Sequence, residues 1–176
     1  MAFYKISYWL MPAEPSRQMW RTTIRNLAGQ LGQAPLFEPH VTIYVAKDSP
    51  EQFSLENIKK AAAGIHKIEL KVVALEFTER YTKSCFISFE DSALLAKISQ
   101  GLEKSSVLKA PYELLPHMSL MYRHLSAHER ERVQEQISLP TEPVVFDEIQ
   151  AWATTANPQT KGDVEAWKLI ASHRLG

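Results

Sequence analysis

An α+β fold in a single domain is predicted from three observations. Segments of strand and helix period mix along the whole chain, two pairs of strands follow one another across short connections, and the element order of the first half returns in the second. The 176 residues suffice to bury a hydrophobic interior, and 45% hydrophobic with 23% charged residues is a globular composition, not a disordered one. Lys plus Arg number 20 and Asp plus Glu number 20, so the basic surplus needed to coat long nucleic acid is absent. A single nucleotide or an RNA end, which needs only a local basic cluster, stays within reach.

Residues 3–10 (FYKISYWL) mix β-branched and aromatic residues in partial alternation and predict a strand, stopped by Pro12 and Pro15. From Ser16 to Leu31 the apolar positions Met19, Trp20, Ile24, Leu27, Ala28 and Leu31 recur at helical spacing, with Gly32 as the stop. A strand, HVTIYVA, follows at 40–46. At 49–52 Ser49 can cap a helix, Pro50 suits its first position and Gln52 completes a capping box, so a helix is expected to about Ala63 or Gly64. The runs 68–80 and 84–90, joined by Tyr-Thr-Lys, predict a hairpin. Leu94, Leu95, Ile98 and Leu102 stripe a helix over 92–104. A strand is expected at 117–123, then a charged helix opened by a Ser126–Glu129 capping box and running to about Ile137. Strands at 144–155 and 164–174, joined by a turn-rich segment, close the chain.

Two strands of this series begin alike, Pro39-His40-Val41-Thr42-Ile43 and Pro116-His117-Met118-Ser119-Leu120. Alternation puts His40 with Thr42, and His117 with Ser119, on one face, while Val41, Ile43, Met118 and Leu120 turn to the other, where helices can bury them. Breaking a phosphodiester requires one group to take a proton from the nucleophile and another to give one to the leaving oxygen. Histidine can do either near neutral pH. Thr and Ser hydroxyls can hold the non-bridging phosphate oxygens as charge develops. Two such pairs converging on one phosphate would make a phosphodiester site that needs no metal.

At these residues the sequence resembles the two-histidine (2H) phosphoesterases, marked by a duplicated His-x-Thr/Ser motif. Within them it is most similar to the cyclic phosphodiesterases that open nucleoside 2′,3′-cyclic phosphates and ADP-ribose 1″,2″-cyclic phosphate. The resemblance covers nearly the whole chain. It implies that residues 1–176 form one bilobal domain with an internal duplication, with two antiparallel sheets and outer helices around a central cleft. It implies His40 and His117 as the acid–base pair, and Thr42 and Ser119 as the phosphate holders. Tyr122 matches a tyrosine found near the phosphate or base in this branch, although simple alternation puts it on the face opposite His117. Base-stacking aromatics are expected from the hairpins, with Tyr81 and Trp152 as candidates. The nucleotide product would keep its phosphate on the 2′ oxygen. Relatives that join or trim RNA ends, of the 2′,5′ RNA ligase type, use the same four residues, and a non-catalytic nucleotide-binding module would keep the fold but need not keep both histidines. Plant members carry disulfides, which one cysteine, Cys85, cannot form within the chain.

The remaining features read as structural. Cys85 lies among apolar strand residues and is expected to be a buried small hydrophobe. His124 and His128 stand four apart, but the helix start between them argues against a metal pair; no metal and no cofactor are expected. The run HERERVQEQ is a solvated helix face. The apolar start is too short to be a signal peptide or to span a membrane, so a cytoplasmic monomer acting on a small cyclic phosphate or a short RNA end, with no membrane partner, is expected.

Overall fold

The structure, a computed structural model, describes residues 4–47, 50–107 and 111–176. In chain order the elements are β1 (Tyr4–Pro12), α1 (Ser16–Leu31), β2 (Val41–Lys47), α2 (Ser54–Ala61), β3 (Ile68–Leu70), β4 (Val72–Phe77) and β5 (Cys85–Phe89). There follow α3 (Ala93–Ser105), β6 (His117–Met121), α4 (Ala127–Gln136), β7 (Val144–Thr155), α5 (Lys161–Glu165) and β8 (Lys168–Arg174). This is the mixed helix and antiparallel-sheet class expected from the sequence, but the two sheets expected are joined into one, because β2 pairs with β6.

Among the described residues every strand pairing is antiparallel, and the eight strands run β3-β7-β1-β2-β6-β5-β4, with β8 also on β7. Two groups of strands, one around β1 and β7 and one around β5, meet where β2 pairs with β6 through Val41 and Met118. An antiparallel register through that pair carries Thr42 toward His117 and His40 toward Ser119. The helices cross over between the groups: α1 packs on β6 and α3 packs on β2. Trp20, Ile24 and Leu27 of α1 and Leu95, Ile98 and Leu102 of α3 are buried. With Val41, Ile43, Met118 and Leu120 they join one core cluster beneath the motif strands, as alternation requires. At Gly101 a side chain would lie 3.0 Å from the Ala61 Cβ, so a glycine there lets α3 approach α2 closely.

Helix α1 has the expected span, and Gly32 ends it with φ 67°. The Ser126–Glu129 capping box forms at the start of α4. Three expectations change. The long strand at 68–80 is two strands: β3 pairs with β7 and β4 with β5, so consecutive segments lie at opposite ends of the strand order. Lys71 separates them, and its carbonyl accepts from the Glu90 N–H at 2.9 Å, a partner that a continuous strand pattern does not reveal. The strand expected at 164–174 begins only at Lys168, because Thr160 and Asp163 form a capping box that opens α5. The helix expected from Pro50 begins as a 3-10 turn at Glu51–Phe53, and α2 ends at Ala61. Ser49 lies outside the described residues.

Candidate functional site

Both motif histidines follow a proline, and the residue before a proline is held extended. In each case that residue's carbonyl faces the imidazole two positions on. His40 Nδ1–H donates to the Glu38 carbonyl and His117 Nδ1–H donates to the Leu115 carbonyl, each at 2.6 Å. A carbonyl only accepts, so each Nδ1 carries the proton and each Nε2 is left with its lone pair for chemistry. The Pro-His pair is thus a device for aiming an imidazole.

His40, Thr42, His117 and Ser119 line one cavity of about 210 Å³. The β1–β2 pairing shifts by one residue between Tyr8–Tyr44 and Trp9–Thr42, with the extra residue, Ile43, in β2: Thr42 comes opposite Trp9, which faces the cavity, while Tyr8 stays in the core. Trp9 stacks on His40 with ring centroids 3.6 Å apart and planes 9° apart. His40 is 6% exposed, and burial, with the nearby His117, pushes its pKa down to about 3 despite the Glu38 carbonyl. His117 is only partly buried; burial lowers its pKa too, with Lys83 adding to the effect and the Leu115 carbonyl and Glu76 opposing it. Phe86 meets the His117 ring edge-on at 5.4 Å.

Ser119 donates its hydroxyl to the Thr82 carbonyl at 3.0 Å and also contacts the Tyr122 hydroxyl. Tyr122 lines the cavity, contrary to simple alternation, because the β5–β6 pairing shifts by one residue between Cys85–Met121 and Phe86–Ser119, which leaves Leu120 and Met121 both in the core and turns Tyr122 to the face of His117. Its ring stacks on Phe37 at 3.9 Å, and burial raises its phenol well above the usual value. Tyr112 lies on the same wall and donates its hydroxyl to the Thr42 carbonyl at 3.3 Å. Lys5 supplies a cation to the cavity, its pKa lowered by burial and by Lys47.

The aromatic candidates divide. Trp152 does not line the histidine cavity; it stacks on the far side of Trp9 at 4.7 Å and lines an adjoining cavity of about 330 Å³ with Phe37, Arg21, Arg25 and Trp167. Trp9 and Trp167 border both cavities. Tyr81 lines neither; it sits in the 3-10 turn at Tyr81–Lys83, edge-on to His124, while its neighbour Thr82 reaches the histidine cavity. Sequence reasoning missed Trp9, Trp167, Tyr112 and Lys5. Alternation along β1 puts Lys5, Ser7 and Trp9 on one face, which was the available signal for two of them. Trp167 and Tyr112 precede strands in irregular segments, where no periodicity marks them.

Among the described residues no three His, Cys, Asp or Glu side chains converge as a metal-ligand set, and no helix is long and apolar enough to cross a membrane. Cys85 is fully buried, and burial raises its thiol to about 12, which leaves it an unreactive hydrophobe.

The sequence matches the family described as cyclic phosphodiesterase-like protein over residues 4–175. No curated protein matches it. Among solved structures, one described as a phosphoesterase aligns with a TM-score of 0.59 at 12% identity, covering 98% of each chain. TT0787 of Thermus thermophilus aligns with a TM-score of 0.59 at 15% identity over 97% of each chain. E. coli LigT complexed with 3′-AMP aligns at 0.56 and 11% identity over 98% of each. At these identities the structures establish a common fold, and the family match over nearly the whole sequence places this protein in the cyclic phosphodiesterase-like family of two-histidine phosphoesterases.

Proposed function

We infer that the protein hydrolyses small cyclic phosphodiesters without a metal ion, its substrate a nucleoside 2′,3′-cyclic phosphate or ADP-ribose 1″,2″-cyclic phosphate. The observation that carries this reading is the matched pair of Pro-His imidazoles, each tied at Nδ1, on one cavity with Thr42 and Ser119. Their environments divide the work. His40, kept neutral by burial, takes the proton from water as the water oxygen bonds to phosphorus. His117, more open to solvent, enters as imidazolium, its charge favoured by the bound phosphate anion, and protonates the ribose oxygen as the phosphorus–oxygen bond breaks. Thr42 and Ser119 hold the non-bridging oxygens, and Lys5 adds positive charge to the cavity. For a 2′,3′-cyclic nucleotide, breaking the bond to O3′ leaves a 2′-phosphate.

The adjoining cavity bordered by Trp9, Trp152 and Trp167 is the place for the base, which is planar and favours aromatic walls. LigT has been crystallised with 3′-AMP, a nucleotide of this size, and that precedent supports a nucleotide here. The protein is read as acting as a monomer in the cytoplasm, on small molecules. The test is a substrate panel in EDTA: 2′,3′-cyclic nucleotides, the cyclic ADP-ribose phosphate and short RNAs. Turnover of the small cyclic phosphates is expected. Activity on RNA ends alone would move the reading to RNA processing, and activity restored only by one divalent ion would end the metal-free mechanism.

A further inference from the structure

His40 is held by more than its own motif. Its Nδ1–H rests on the Glu38 carbonyl, and the Glu38 carboxylate is gripped by two arginines one turn apart on α1. Arg21 donates to it from Nε at 2.9 and 3.1 Å, and Arg17 from Nε at 3.4 Å. Arg17 also reaches β7, where Nη1 donates to Glu148 Oε2 at 2.6 Å. The other Glu148 oxygen accepts from Ser172 Oγ and, at 2.8 Å, from Gln150 Nε2. Gln150 Oε1 accepts from Trp152 Nε1 at 2.9 Å, Trp152 stacks on Trp9, and Trp9 stacks on His40. Glu148, Gln150 and Trp152 are alternate residues of β7 and therefore share one face.

We propose that Arg17, Glu148 and Gln150 are positioning residues for His40: two chains of contact leave Arg17, one through Glu38 and one through Glu148, Gln150, Trp152 and Trp9, and both end on the same imidazole. The proposal rests on the catalytic reading of His40 given above. Among the described residues the network has no counterpart at the second motif, where Leu115 occupies the place of Glu38 and its side chain is apolar and 51% exposed. Stability alone does not account for it. Glu148 is 8% exposed, and burying ion pairs costs desolvation that well-packed apolar residues avoid. Burial opposes ionisation of Glu148, yet hydrogen bonds from Ser172, Gln150 and Arg17 hold its carboxyl below the usual range, so the charge that anchors Arg17 persists at neutral pH. A closed ring of directional bonds and stacked planes leaves the imidazole little freedom to tilt, and small misplacements of a reacting group are costly to rate.

The test uses the full chain with 2′,3′-cyclic AMP as probe. Glu148→Gln keeps the shape and removes the charge; Gln150→Met breaks the ladder without leaving an unpaired charge and serves if Glu148→Gln does not fold. Each is expected to lower kcat by roughly 10- to 100-fold with KM changed by no more than about twofold. In a His40→Ala background the same substitutions should add little further loss, because the group they position is gone. NMR of the histidine rings reads the proposal without activity: the His40 resonances should shift and broaden in Glu148→Gln while those of His117 stay. Equal losses in both backgrounds, or unchanged His40 resonances, overturn the positioning role. A His40→Ala enzyme with wild-type turnover overturns the catalytic reading as well, and a wild-type protein inactive on the probe removes only the substrate assignment, leaving NMR to decide on positioning.

Discussion

The two Pro-His motifs are near copies in sequence and unequal in setting. His40 is sealed between Trp9 and the Glu38 carbonyl, with an ionic ring behind it. His117 has the same 2.6 Å backbone bond but stands half-buried, with Lys83 and Glu76 as its charged surroundings. Identical aiming with unequal burial gives two imidazoles the same reach and different proton affinities. That is what a reaction needs when one group must be neutral and the other charged.

The largest effects should come from breaking either member. His40→Ala and His117→Ala are each expected to lower turnover by at least about 10²-fold, and the double variant should lose less than the product of the two. Steady-state kinetics on the substrate panel checks this. Near-wild-type hydrolysis by both single variants would show that groups other than the two histidines carry the reaction.

The hydroxyls come next and sharpen the contrast between the halves. Removing a donor that holds developing charge costs about 10²-fold or more in a well-formed site. Thr42→Ala is expected to approach that figure. Ser119→Ala should cost less, because the Ser119 hydroxyl donates to the Thr82 carbonyl before substrate arrives and must be re-aimed. Equal and negligible effects of both substitutions on kcat and on inhibitor affinity would make the hydroxyls structural.

The pH dependence separates the histidines most directly. A base must be above its pKa and an acid below its own. With His40 lowered to about 3 and His117 lowered less deeply, the bell in kcat/KM should peak on the acid side of 6.5, its two limbs belonging to the pair. The same burial acts on stability. Below about 6.5 the unfolded chain protonates this histidine while the folded chain does not until about 3, so stability falls as pH drops through that window. At pH 5 the deficit is about 2 kcal/mol. Unfolding free energies from denaturant titrations at pH 7 and pH 5 should differ by that much more for the wild type than for His40→Gln; equal differences would show that His40 is charged when folded.

Much of this was legible in local pattern. The span of α1, its Gly32 stop, the capping box of α4 and the burial of Val41, Ile43, Met118 and Leu120 follow from periodicity and end-capping chemistry, which act within a few residues. The split of residues 68–80 was not, because which strand a segment pairs with depends on partners far away in the chain, here β7 on one side of Lys71 and β5 on the other. The short helix α5 was legible in principle, from Thr160 and Asp163.

By itself, then, the sequence determined most of the element types, the two Pro-His strands and the proposed chemistry of their four polar residues, since backbone preference and side-chain functional groups are properties of a residue and its near neighbours. Only the tertiary structure decided that the strands meet at Val41 and Met118, that an extra residue in β2 brings Thr42 opposite Trp9 and Trp9 stacks on His40, that Tyr122 faces the cavity while Tyr81 does not, and that Arg17 joins Glu38 to Glu148. Each of these is a contact between residues distant in sequence. Burial, stacking and ion pairing depend on what arrives at the other side, so two nearly identical motifs present imidazoles of different proton affinity.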